Sequence, residues 1–168
     1  MKKSSVDYFA SLDIQLNNMY GLSETTGGCT THKMTDFKLS SAGEALSGCH
    51  IKIQNPDEKG EGEITISGRV IMMGYLKNEE ATREVIDHEG YFKSGDLGKL
   101  DQGRFLWITG RIKELIIGAG GENIAPVPVE DKFKNECLAC SNIMMVGEQR
   151  RFMSALITFK VDIDMKTG

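Results

Sequence analysis

Trp107-Ile-Thr-Gly110-Arg111-Ile-Lys113-Glu-Leu115-Ile-Ile117-Gly118-Ala-Gly120-Gly121-Glu122-Asn123-Ile-Ala-Pro126 divides the sequence in two. Before it the pattern is of short strands and turns; after it, of a helix between strands, so the stretch reads as a joint between two bodies. The run Leu115-Ile116-Ile117 has the composition of a short buried strand. Gly118, Gly120 and Gly121 beside it suit a loop that lies against a ligand or moves between two positions. Arg111 and Lys113 are two residues apart, and in an extended segment both side chains share one face. Taken alone, the stretch is equally a glycine-rich turn with two solvated cations.

Working outward toward the N-terminus, Arg104 to Thr109 reads as a strand feeding the joint. Tyr91-Phe-Lys-Ser94-Gly95-Asp96-Leu-Gly98 precedes it. Gly95 lets the backbone turn, and Asp96 is placed to accept two hydrogen bonds from a vicinal diol such as a ribose. The plainer reading is a hairpin turn with a surface Asp. Residues 78 to 86 form a short helix with Asn78 as N-cap and acids in its first turn. Val70 to Met73 reads as a short buried strand ended by Gly74-Tyr75. Cys49 to Gln54 and Glu63 to Ser67 alternate at period two, with turn signals at Ser47-Gly48 and Asn55 to Gly60.

Tyr20-Gly21-Leu22-Ser23-Glu24-Thr25-Thr26-Gly27 follows a segment, Ile14 to Tyr20, that reads as an imperfectly alternating strand. Open α/β sheets place ligands at such strand-to-loop junctions. An aromatic face, a hydroxyl and a carboxylate together offer a ring to stack on, a phosphate partner and a magnesium ligand. A polar turn with a partly buried Tyr is the alternative. Residues 4 to 12 are expected to make a short helix with Phe9 and Leu12 inward.

Beyond the joint, Pro126 to Asn135 reads as a helix with Val129 and Phe133 inward and Glu130 and Lys134 at i, i+4. Ser141 to Val146 and Phe152 to Phe159 read as strands on either side of Gly147-Glu-Gln-Arg150.

Composition narrows the function classes. The 168 residues are 40% hydrophobic with a net charge of −4, which sets aside general nucleic-acid affinity. No apolar run approaches the roughly 20 residues of a membrane span, and Met1-Lys-Lys-Ser-Ser has no apolar segment behind it as a secretory leader would. Cys137 and Cys140 have redox or half-zinc spacing, but a zinc site wants a second pair, so the four cysteines read as buried free thiols of a reducing, cytoplasmic setting. Peripheral membrane association remains compatible with this. His32, His50 and His88 stand apart in polar or turn-like contexts and receive no chemistry.

Three motifs therefore stand in one order: YGLSE at 20 to 24, YFKSGDLG at 91 to 98, and GRIKELIIGAGGENIAPVPVE at 110 to 130. Together they resemble the adenylate-forming superfamily of acyl-CoA synthetases, peptide-synthetase adenylation domains and luciferases. The wording around Ala119 to Asn123, Pro126, Pro128, Ser141-Asn142 and Val146-Gly147 is similar to the bubblegum-type long-chain fatty acid CoA ligases. The resemblance implies an α+β, β-rich fold. Residues 1–111 would be the C-terminal portion of the large domain, with short strands in a distorted barrel-like subdomain. Residues 112–168 would be the start of the small, mobile α/β domain.

It also implies roles. Tyr20 would stack on adenine with Gly21 beside it in the nucleotide site, Ser23 would contact the AMP phosphate, and Glu24 would help hold Mg2+. Asp96 would bind the ribose hydroxyls and Arg111 the sugar or phosphates. Lys113 would be the hinge about which the small domain rotates between adenylate and thioester formation, and Gly120 and Gly121 would border the pantetheine channel of coenzyme A. Fatty acid, ATP and CoA are the implied partners. The family's upstream phosphate loop and its late catalytic lysine find no match in the 168 residues, so the chain alone is expected to be inactive. A short, non-catalytic nucleotide- or partner-binding paralogue is the other class of function, and a β-rich domain of unrelated role the third.

Overall fold

The computed structural model describes residues 3–102 and 104–161. They divide into two compact units, Met1–Thr109 and Gly110–Gly168.

The first unit opens with helix α1 (Lys3–Ser11). Its buried side chain is Val6, 3% exposed, whereas the expected inward residues Phe9 and Leu12 are 36% and 53% exposed. The helix ends at Ser11, one residue short of that expectation. Asp13 takes a left-handed φ of 58° and Ile14 N–H closes onto Phe9 O at 3.0 Å, which leaves Leu12 beyond the last turn.

Strands β1 (Tyr20–Leu22), β2 (Gly27–Thr31) and β3 (Glu44–Ala45) form a three-stranded antiparallel sheet. The strand expected from Ile14 begins only at Tyr20. Asn18 instead spends its side-chain amide on Ser41 O at 3.1 Å.

Strands β4 (Cys49–Gln54), β5 (Gly62–Gly68), β6 (Phe92–Leu100) and β7 (Leu106–Arg111) form a second sheet in that order. The expected β4–β5 hairpin is present with Ile51 opposite Ile66 and Ile53 opposite Ile64. Asp57 closes its turn by accepting from the N–H groups of Lys59 and Glu61 at 2.8 and 2.9 Å. Helix α2 (Glu79–Val85) is capped as expected, Asn78 Oδ1 accepting from Ala81 N–H at 3.1 Å.

One core serves both sheets: Tyr20, Cys29, Ala42, Cys49, Ile64, Ile66 and Leu106 pack together, drawing on β1, β2, β4, β5 and β7. Burying such side chains contributes about 1.5–3 kcal/mol each, so the two sheets stand or fall as one body. His32 is also buried and is not solvated in a polar turn. It is 5% exposed, its ring lies 4.6 Å from Phe37, and its Nε2 faces Ser41 Oγ and Lys38 O at 2.8 and 3.1 Å. The Glu44 carboxylate is buried at the edge of β3 between Lys33 (2.8 Å) and Arg104 (3.2 Å). The Lys33 hydrogen bond, more than Arg104, holds it below the usual carboxylate range.

The expected strand at Val70–Met73 is a turn and bend. Its backbone groups are committed elsewhere: Val70 O accepts from Thr26 Oγ1 at 2.5 Å, and Met72 N–H donates to Glu24 O at 2.8 Å. Met73 is fully exposed.

In the second unit, β8 (Ile116–Ile117) pairs with β9 (Asn123–Ile124), helix α3 (Pro126–Glu136) follows, and β10 (Cys140–Val146) pairs antiparallel with β11 (Ser154–Phe159). The strand at the joint is shorter than expected and not buried, Ile117 being 46% exposed. On α3, Val129 and Phe133 are 48% and 37% exposed and not turned inward. Glu130 reaches the neighbouring strand, accepting from Met145 N–H at 2.6 Å. All four cysteines are free, three of them buried and Cys137 half-buried. No helix among the described residues is long and apolar enough to cross a membrane.

Candidate functional site

Ser94, Gly95 and Asp96 do not form a hairpin turn. They lie inside β6, where Gly95 adopts φ 73° and the register against β5 slips between Glu63 and Thr65. This is a bulge held by side-chain hydrogen bonds: Ser94 Oγ donates to Ile64 O at 2.6 Å, Asp96 N–H donates to Ser94 Oγ at 3.1 Å, and Gly95 N–H donates to Glu63 Oε1 at 3.0 Å. Bulges redirect side chains. Here the redirected one is Asp96, which is 5% exposed and accepts through Oδ2 from the Tyr20 hydroxyl at 2.8 Å.

Two candidates 76 residues apart are thus joined by one buried hydrogen bond between the two sheets. Tyr20 is 8% exposed. Burial pushes its phenol far above the usual tyrosine range, and the neighbouring Asp96 adds to the rise while a Ser94 hydrogen bond opposes it. Tyr20 is therefore a neutral donor at any ordinary pH.

Gly21, next in β1, is required by packing. A Cβ there would stand 1.7 Å from Gly27 O on β2. Ser23 and Glu24 occupy a single 3₁₀ turn, Ser23–Thr25, between β1 and β2. Thr25 is 1% exposed, and its Oγ1 accepts from Leu22 N–H at 2.9 Å, so the turn is pinned from inside and presents Ser23 outward. Glu24 is half-buried, with Oε1 accepting from the Tyr75 hydroxyl at 3.0 Å. The sequence reading missed Thr25 and Tyr75, because Thr25-Thr26 looks like polar turn filler and Gly74-Tyr75 like a strand end.

Among the described residues, no three or more His, Cys, Asp or Glu side chains gather as a metal cage. A single half-buried carboxylate suits magnesium, which is commonly held by one or two carboxylates together with substrate phosphates.

In the second unit the remaining candidates are exposed. Arg111 is extended, but Ile112–Glu114 forms a 3₁₀ turn, so Arg111 and Lys113 do not share the face of an extended segment. Gly118 to Glu122 is a tight loop: Gly118 N–H donates to Glu122 O at 3.0 Å, Gly121 N–H to Gly118 O at 2.9 Å, and Gly121 adopts φ 85°. The Glu122 carboxylate lies over it, within 2.8 Å of where a Cβ would sit on Gly118 and 2.6 Å for Gly120. Ala119 N–H donates to Arg150 O at 2.9 Å and Gln149 N–H to Ile117 O at 2.7 Å, which straps the loop to the β10–β11 turn.

Comparison with known proteins agrees with these motifs. A family model described as AMP-binding enzyme matches residues 3–76. The chain is 47% identical over 166 residues to the long-chain-fatty-acid–CoA ligase ACSBG2 of Xenopus laevis, covering 99% of this chain and 22% of that protein. It is 47% identical over 168 residues to the human ligase ACSBG1, covering 23% of it. The chain thus spans less than a quarter of the length of these relatives. Among solved structures, o-succinylbenzoate CoA synthetase from Bacillus subtilis in complex with AMP is similar at 29% identity and a TM-score of 0.77, over 96% of this chain and 34% of that one. The same enzyme with ATP and a magnesium ion gives 28% and 0.78, over 98% and 36%. The ordered motifs, the α+β fold and these likenesses make the chain a member of the adenylate-forming, AMP-binding superfamily, closely related to part of the bubblegum-type long-chain fatty acid CoA ligases.

Proposed function

We propose that this chain is the nucleotide-holding portion of a long-chain fatty acid CoA ligase, spanning the end of the large domain (1–111) and the start of the small, mobile one (112–168). The whole protein would join a fatty acid carboxylate to the α-phosphorus of ATP with loss of pyrophosphate. The CoA thiol would then attack the acyl carbon and release AMP. The observation that carries the reading is the buried Tyr20–Asp96 hydrogen bond, which unites two motifs distant in sequence.

In this reading Asp96 accepts from the ribose hydroxyls, and the phenol of Tyr20 fixes the carboxyl group while its ring and Gly21 flank the adenine. Ser23 meets the α-phosphate from the 3₁₀ turn. Glu24 holds magnesium, which when bound neutralises phosphate charge. Arg111 steadies the sugar or phosphates, Lys113 is the hinge, and Gly120 and Gly121 line the path of the CoA arm. Loops assembled on rigid elements are where such work is ordinarily placed. Four free thiols support a reducing, cytoplasmic setting.

The test is fatty-acid-dependent exchange of pyrophosphate into ATP. The full-length protein should catalyse it, and the 168-residue chain alone should not. Exchange by the isolated chain, or none by the full-length protein with fatty acids of any length, would contradict the reading.

A further inference from the structure

One side chain outside the three motifs reaches the carboxyl group of Glu24. Tyr75, 51 residues later, donates its hydroxyl to Oε1 at 3.0 Å. It is held from behind, its N–H donating to Thr82 Oγ1 at 2.9 Å and that hydroxyl donating in turn to Asn78 O at 2.8 Å. Gly74, at φ 149°, lets the chain pass this close to α2, since a Cβ there would stand 2.8 Å from Thr82 Cγ2. The same segment also fixes the backbone of the 3₁₀ turn, through Met72 N–H to Glu24 O and Thr26 Oγ1 to Val70 O.

The demands of burial do not explain the Tyr75 bond. Tyr75 is 36% exposed, flanked by Met73 and Leu76 that are almost fully exposed, and water would satisfy its hydroxyl equally well. A bond that the phenol does not need falls in its effect on the acceptor: it restricts the Glu24 side chain to one orientation.

We infer that Tyr75 is a positioning residue for Glu24, holding its carboxylate oriented for the magnesium of a bound metal–nucleotide complex; this rests on the proposed function. Fixing a carboxylate before the metal arrives spares the ordering cost at binding. The bond should matter for nucleotide that carries a metal and not for nucleotide that lacks one.

The experiment compares wild type, Tyr75→Phe and Glu24→Gln in the full-length protein. Mn2+·ATP affinity is read by water-proton relaxation and AMP affinity, without metal, by calorimetry. Tyr75→Phe should weaken Mn2+·ATP by about three- to tenfold and leave AMP affinity and melting temperature unchanged. Unchanged Mn2+·ATP affinity in Tyr75→Phe, with a loss in Glu24→Gln, would overturn the role of Tyr75 alone. An equal loss for AMP would make Tyr75 merely structural and overturn the role as well. If Glu24→Gln binds Mn2+·ATP as wild type does, the metal reading of Glu24 fails and the inference falls with it.

Discussion

The Tyr20–Asp96 seam and the glycine loop at 118–122 carry candidate residues of the same family but are built in opposite ways. At the seam, both side chains are nearly buried, and their positions are set by bonds between residues far apart in sequence. In the loop, Gly120 and Gly121 are exposed, and the geometry comes from contacts within five residues and from a strap to the turn after β10. The seam can hold a ligand in a fixed place, but any change there also disturbs the fold. The loop tolerates change because little of the core depends on it, which is what a moving element requires.

Substituting a glycine in each region is the strongest way to break this contrast. Gly21→Ala forces a Cβ against backbone, 1.7 Å from Gly27 O. Neither atom can step aside without parting β1 from β2, so a loss of about 3 kcal/mol or more is expected. Gly120→Ala meets only the tip of the Glu122 side chain, at 2.6 Å, and that tip can rotate away. Its expected effect is within about 0.5 kcal/mol. Chemical denaturation of the two variants measures both, and similar losses would remove the distinction.

A smaller effect sharpens the seam itself. Tyr20→Phe leaves the buried Asp96 without the phenol donor and should cost about 1–3 kcal/mol. The same phenol gives stability a pH dependence with a definite sign. Its folded ionisation lies above the unfolded value, so between the two the unfolded chain has lost a proton that the folded chain keeps. Stability is therefore flat in this respect below about pH 10 and falls as pH rises above it. Urea midpoints of wild type and Tyr20→Phe should converge above that pH; a constant difference would contradict the buried, neutral phenol.

Much of this was legible in the residues. Period-two alternation located β4 and β5, and Asn78 followed by two acids located the α2 cap, because both signals are local. The three ordered motifs pointed to the family and singled out Tyr20 and Asp96, which a buried hydrogen bond joins. What escaped was set by partners distant in sequence. Ser94-Gly95-Asp96 looked like a turn because its glycine permits one, and only pairing with β5 makes it a bulge. Val70 to Met73 had the apolar content of a strand, but its polar groups serve the Glu24 turn. Phe9 and Leu12 misled because the chain reverses at Asp13. The 3₁₀ turn at Ile112–Glu114 cannot be read from an i, i+2 pair of cations.

Calorimetric titration of AMP into the full-length protein, comparing wild type with Tyr20→Ala and Asp96→Ala, tests the central claim most directly. A stacking face and a hydrogen-bonding carboxyl group are each worth roughly 1–3 kcal/mol. Each variant should therefore bind AMP about tenfold to a hundredfold more weakly. Unchanged affinity in both variants, with the fold retained by circular dichroism, would show that the seam is a structural brace between two sheets and that the nucleotide binds elsewhere.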